Sequence, residues 1–85
     1  MQTESTAELS RRQQAIFEMV DGEIAAPRIL EQLARHKSFR GIAAASLRPE
    51  LHRVLNQLVE LGLLKDDYQP GPKGMPVRYV SRRQQ

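Results

Sequence analysis

Apolar residues recur at helical spacing in three stretches of the chain, each with stop or start signals at its ends. Ile16, Phe17 and Val20 share one face of a segment that begins near Leu9–Ser10, with Arg12, Gln14, Glu18 and Asp21 largely elsewhere. Gly22 predicts the end of this first helix, and Ile24 follows as an apolar link. Pro27 predicts the opening of a second helix, because the first turn has no use for the N–H that proline lacks. Ile29, Leu30 and Leu33 form its stripe, and Arg35, His36 and Lys37 are cations suited to a helix C-terminus. Between Lys37 and Ala45, Gly41 breaks the pattern, Phe39 and Ile42 are expected to insert into the core, and Ala43–Ala45 predicts a short helical turn. The clearest period belongs to Leu51, Val54, Leu55, Leu58 and Leu61, which fall on one broad helical face. Ser46 is the expected N-cap of this third helix, Pro49 is expected in its first turn, and Gly62 as its left-handed cap.

Beyond Gly62 the period changes. Leu63 and Leu64 lead into a short extended stretch, and Val77 and Tyr79 alternate with Arg78 and Val80 as in a strand. Between them, Gln69 to Pro76 holds three prolines and two glycines and reads as a loop, excluding a regular helix or strand interior. The order is helix, helix, helix, hairpin: an α+β fold in which the hairpin covers a three-helix core. Residues 1–8 are polar and aperiodic and read as a disordered tail, residues 9–81 as the domain, and residues 82–85 as a basic C-terminal tail.

Composition narrows the function classes. Eighty-five residues make one small domain, with little room for an enzyme cleft and its supporting shell. The absence of cysteine excludes disulfides, thiolate zinc sites and cysteine nucleophiles, and fits a cytoplasmic protein. No apolar run approaches the roughly 18 residues of a membrane span, and the polar N-terminus carries no secretory pattern. His36 and His52 stand apart, too few to hold a metal. Asp66 and Asp67 are adjacent on an apparent strand and point to opposite faces, which suits no paired-carboxylate chemistry. No P-loop, GxGxxG or GxSxG spacing occurs, so neither enzyme nor cofactor is expected.

Charge is divided unevenly. Residues 1–36 carry four basic against six acidic side chains (net −2), and residues 37–85 carry nine against four (net +5). Ten of the 13 basic residues are Arg, the side chain suited to phosphate and guanine. On the third helix, the face opposite the leucines holds Pro49, Arg53, Asn56, Gln57 and Glu60, with Arg48 and His52 at its flank. Arg can grip guanine through two bonds, Asn or Gln can do the same to adenine, and a helix fits the major groove of duplex DNA. Lys73 and Arg78 in the hairpin, and Arg82 and Arg83 after it, are the candidate phosphate contacts.

The stretch Leu51–Leu64, with apolar residues at 51, 55 and 58, Gly62, and two leucines after it, resembles the third helix and first wing strand of bacterial winged helix-turn-helix regulators. The hairpin with Gly74, Pro76, Arg78 and Tyr79 is similar to the wings of MarR-, PadR- and HxlR-type repressors, and Ser46–Arg53 resembles the start of the PadR third helix. The chain departs from them in its longer span from Leu33 to Leu51, in Arg48 where PadR proteins tend to have an aromatic, and in lacking a long dimerisation helix after the wing. The resemblance implies a winged helix that binds double-stranded DNA as a small repressor-like regulator. A homodimer is expected with it, paired through the first helix and N-terminal tail. No constellation for a small-molecule effector is visible. The alternatives are a winged helix that docks proteins in a larger assembly, or one that binds left-handed DNA, for which Arg53-Val54-Leu55 is the only resemblance.

Overall fold

The computed structural model describes residues 9–83, so the tail expected over residues 1–8 and the final two residues of the basic tail lie outside it. Helix α1, Arg11–Met19, starts with a reciprocal cap: the Gln13 backbone N–H donates to Ser10 Oγ (3.1 Å), and the Ser10 N–H donates to Gln13 Oε1 (2.9 Å). These bonds satisfy two donors that a helix start otherwise leaves unpaired. The helix ends where Val20 turns extended and fully buried, so Val20 reaches the core from outside the last turn.

Ile24 is more than a link. With Ala25 it forms a short strand β1, pairing with Val80 and Tyr79. Helix α2, Ala26–Leu33, follows at once, with Pro27 in its first turn as expected and Ile29 and Leu33 fully buried. It stops before Arg35, His36 and Lys37, which lie in the connection. There a 3-10 turn, Lys37–Phe39, carries Phe39 into the core (3% exposed), and Ile42 is half-buried.

Helix α3 runs Ala44–Glu60, which corrects its expected start. The alanine run is its first turn, not a separate one, and Ala43 is an N-cap with no side-chain bond. Ser46 and Pro49 therefore lie inside the helix. Pro49 leaves the Ala45 carbonyl without its usual donor. The neighbours Ala44, Ala45 and Ser46 are exposed, so water can reach that carbonyl. Leu51, Val54, Leu55 and Leu58 are buried, whereas Leu61 falls beyond the helix and is 51% exposed. The exit is a Schellman turn: Gly62 (φ +82°) donates to Val59 and Leu63 donates to Leu58, both at 3.0 Å.

Strands β2 (Leu64–Pro70) and β3 (Pro76–Arg82) form the hairpin, and the antiparallel sheet has the order β1-β3-β2. The strands are longer than the expected ones. Gln69 pairs with Val77 and Pro70 with Pro76, so the loop shrinks to Gly71–Met75. Arg82 pairs with Leu64 inside the sheet and so does not belong to the tail. The inward face of β3 carries Arg78 and Val80, both buried, while Val77 and Tyr79 face the other way. Leu64 and Val80 seal the base of the hairpin onto a core built from Ile16, Ile29, Leu33, Leu51, Leu55 and Leu58.

Candidate nucleic-acid interface

The face of α3 away from the core follows directly from its leucine period. Arg48, Pro49, Arg53, Asn56 and Glu60 are exposed on it, with His52 and Gln57 half-buried at its two edges. The edges differ. On one side α1 approaches, and Gln13 Nε2 donates to Gln57 Oε1 at 2.9 Å. On the other the hairpin approaches, and His52 meets Arg78. Gln57 is therefore engaged in holding α1 to α3 and is less free to read a base than its sequence position suggests.

Glu50 is the electrostatic partner of this face. Arg53 donates to both its oxygens (2.9 and 2.6 Å), and Arg12 of α1 donates to it at 3.1 Å. The Arg53 bonds hold the Glu50 carboxyl below its ordinary value of 4.5, against the opposing effect of burial, with Arg12 assisting. The same pair raises the Arg53 guanidinium further above its ordinary range. The Arg53 side chain remains 55% exposed, so water screens the pair and leaves the guanidinium free to exchange partners. Arg12 also lies over the Phe39 ring, 5.5 Å from its centre. Sequence spacing gave no sign of Arg12 as a neighbour of the site, because its contact with Glu50 joins positions 38 apart; Glu50 itself stands at i,i+3 from Arg53, a spacing that was there to be read. Among the described residues, no hydrogen bond or ion pair engages the Arg48 guanidinium or the Asn56 amide.

The hairpin tip is held in shape. Gly71 and Met75 share a 2.8 Å hydrogen bond, and the Gly74 and Met75 N–H groups donate back to Gly71 and Pro72. A Cβ on Gly71 would strike the Val77 side chain and the Met75 carbonyl oxygen, so the chain closes there only around glycine. Lys73, exposed at the apex, sits in the left-handed region (φ +61°). That region is uncommon for a residue with a side chain.

The other expected phosphate contacts lie elsewhere. Arg78 is 6% exposed and points inward. Its Nε and Nη2 donate to Asp66 Oδ2 (3.0 and 2.8 Å), and Nη1 lies 3.3 Å from His52 Nδ1. It is thus unavailable to a phosphate in this arrangement. The reason was legible: Arg78 has the strand parity of Val80, and an inward position needs a partner for its charge. Burial first, then the charges of Arg78 and Arg48, push the His52 imidazole below its ordinary value of 6.5. Arg82 lies at the base of the hairpin. At about 3.3 Å per residue it is roughly 20 Å from the tip. Its Nη2 donates to the Phe17 carbonyl (3.2 Å), and its guanidinium covers the Phe17 ring at 4.6 Å. Arg83 is exposed beside it, its N–H bonded to Leu63. The structure therefore brings together Arg48, Pro49, His52, Arg53 and Asn56 on α3, while Lys73 stands apart at the tip and Arg82 and Arg83 at the far end of the hairpin.

No group of three or more His, Asp or Glu side chains is placed to hold a metal among the described residues. No described helix is long and apolar enough to cross a membrane. No known protein family, curated protein or solved structure matches the sequence.

Proposed function

We propose that the chain is a winged helix that binds double-stranded DNA, with α3 in the major groove and the β2–β3 hairpin as a wing on the phosphate backbone. The observation that carries this reading is the α3 face. It presents Arg48, Arg53 and Asn56 to solvent; Glu50 and Asp66 beside it are each paired with an arginine, and the exposed Glu60 stands at the far, C-terminal end of the helix. A groove-facing helix needs donors suited to guanine and adenine edges, and negative charge compensated over the turns that enter the groove, which leaves Glu60 at the end where the helix would leave it. Pro49 and the small side chains of Ala45 and Ser46 keep the first turns of the helix narrow. In this reading Arg48 and Asn56 read bases. Arg53 moves between Glu50 and a base or phosphate, and Lys73 holds phosphate. His52, Gln57 and Arg78 set the edges of the face.

A small cytoplasmic transcriptional regulator acting as a dimer on a two-fold site is the role that fits such a module best, since one copy covers few base pairs. The test is the affinity of the purified protein for duplex DNA across a salt series. Neutralising phosphates releases counterions, giving a log–log slope of about −0.9 per contact. With Lys73 and Arg53 on phosphates, the reading predicts a slope of about −1.8 or steeper. Absence of binding at low salt would overturn it and favour a winged helix that docks proteins.

A further inference from the structure

The outer half of the hairpin has almost no hydrophobic attachment to the helices. Its buried apolar residues, Leu64 and Val80, are both near its base. Toward the tip the inward positions are taken by Asp66, Tyr68 (60% exposed) and Arg78, and the strands run past the helices with a cleft of about 200 Å³ behind them. Pro27, Leu30 and Leu51 form the helical wall of that cleft, and Tyr68 and Pro76 the strand wall. The groups that reach across it are polar: Arg78 from β3, gripped by Asp66 of β2, and His52 from α3.

Arg78 is the one charged side chain buried among the described residues. Burying an arginine with its carboxylate generally gives no more stability than a well-packed apolar side chain of the same shape. Its presence is better explained by direction. The two Asp66 bonds fix the plane of the guanidinium, leaving Nη1 aimed at the imidazole. A guanidinium nitrogen only donates, so Nδ1 of His52 must accept, with its proton on Nε2. The contact therefore fixes distance, angle and tautomer where the outer hairpin faces α3.

We propose that Arg78, clamped by Asp66 and seated on His52, is a positioning residue that props the hairpin against α3, so that Lys73 and the α3 face engage one duplex together. The proposal rests on the DNA-binding reading for its consequence. It stands on the cleft and the Asp66–Arg78–His52 geometry for its mechanics. None of the three residues need touch DNA for the prop to act.

The test has two arms. In the free protein, backbone 15N relaxation is measured for residues 71–75 in the wild type and in Arg78→Met, Asp66→Asn and His52→Ala. The prop predicts a wild-type tip with order parameters near those of α3, about 0.85. It predicts loosening toward about 0.6 in the variants while α1–α3 keep wild-type values. The three variants differ in severity, so one that fails to fold leaves the others to decide. In the second arm, duplex affinity is measured for Lys73→Ala, Arg78→Met and the double variant. Removing Lys73 should weaken wild-type binding several-fold and the Arg78→Met protein hardly at all. An unchanged tip in every folded variant, or additive losses in the cycle, would overturn the proposal. Failure of the wild type to bind any duplex would instead remove the DNA reading and the role given to Lys73, while the relaxation arm still decides whether the prop exists.

Discussion

Arg48 and Asn56 differ from their neighbours on α3 in having no protein partner among the described residues, so replacing either should affect binding without affecting the fold. Each good base contact contributes about 1–3 kcal/mol of discrimination. Arg48→Ala and Asn56→Ala are each expected to cost that amount on a preferred duplex, with thermal midpoints within about 2 °C of wild type. Arg82→Ala, whose partner is the end of α1, should leave binding unchanged, and titration of the three proteins against one labelled duplex checks all of this. His52 gives a pH prediction. Its folded pKa is below 6.5, so below that pH the unfolded chain takes up the proton first. Its favourable contribution is complete above about pH 6.5 and is lost as pH falls from there through the lowered folded value. Glu50 acts lower: its pKa is depressed below 4.5, so its contribution is present above that value and lost as pH falls through the folded one. Urea unfolding midpoints between pH 5 and 7.5 should therefore fall toward acid in the wild type and flatten in His52→Gln. An equal slope in both would contradict the assignment. The outward α3 residues could be read from the sequence, because a helix with a clear leucine stripe fixes what lies opposite it. Gln57 and Arg53 could be placed there too, and the i,i+3 spacing on one helix already allowed the Arg53–Glu50 pair, but the partners supplied by α1, Gln13 to Gln57 and Arg12 to Glu50, could not be read, since contacts across dozens of positions leave no local period.

The elements show the same division. The start of α1, the proline start of α2 and the glycine exit of α3 are local chemistry, and the sequence signals sit where the structure puts them, whereas α1 ends at Met19, before the stop expected at Gly22, because Val20 turns extended to enter the core. The start of α3 misled. Ser46 and Pro49 are a common cap and first-turn pair, yet Ala44 and Ala45, with high helix propensity, extend the helix upstream of both. β1 was not visible because two residues carry no period, and Ile24–Ala25 becomes a strand only by pairing with β3. The hairpin loop was overestimated, since Gln69, Pro70 and Pro76 pair across the strand ends. Arg78 was assigned to the wrong face of its strand because its charge was weighed above its parity with Val80. The tip separates stability from binding. Lys73 holds a left-handed conformation that asparagine tolerates better. Lys73→Asn should raise or preserve the thermal midpoint while weakening duplex binding and flattening the salt slope by about 0.9. A midpoint lowered by several degrees would show that Lys73 serves the fold instead.

At the scale of the molecule, the fold divides into a sealed end and an open end. Leu64, Val80 and the helix stripes close the base. The α3 face, the cleft and the hairpin tip stay open and carry the exposed cations Arg48, Arg53 and Lys73, while Arg82 and Arg83 stand at the base. The acids of the first half, Asp21, Glu23 and Glu31, line a separate groove beside β1 and α2, with Arg28 among them. This arrangement gives the charge asymmetry of the sequence a spatial meaning: a polyanion could approach the open end without meeting those acids. The helices and the hairpin of the α+β fold were legible because they rest on local periods, whereas the prop between hairpin and α3 was not, because it rests on one buried arginine. The most direct measurement is selection of bound fragments from random-sequence duplex DNA by the purified protein at two salt concentrations, followed by sequencing. The account predicts an enriched motif at both, with the spacing of any repeated half-site reporting a dimer. Recovery of no enriched sequence at either concentration would contradict base reading by α3.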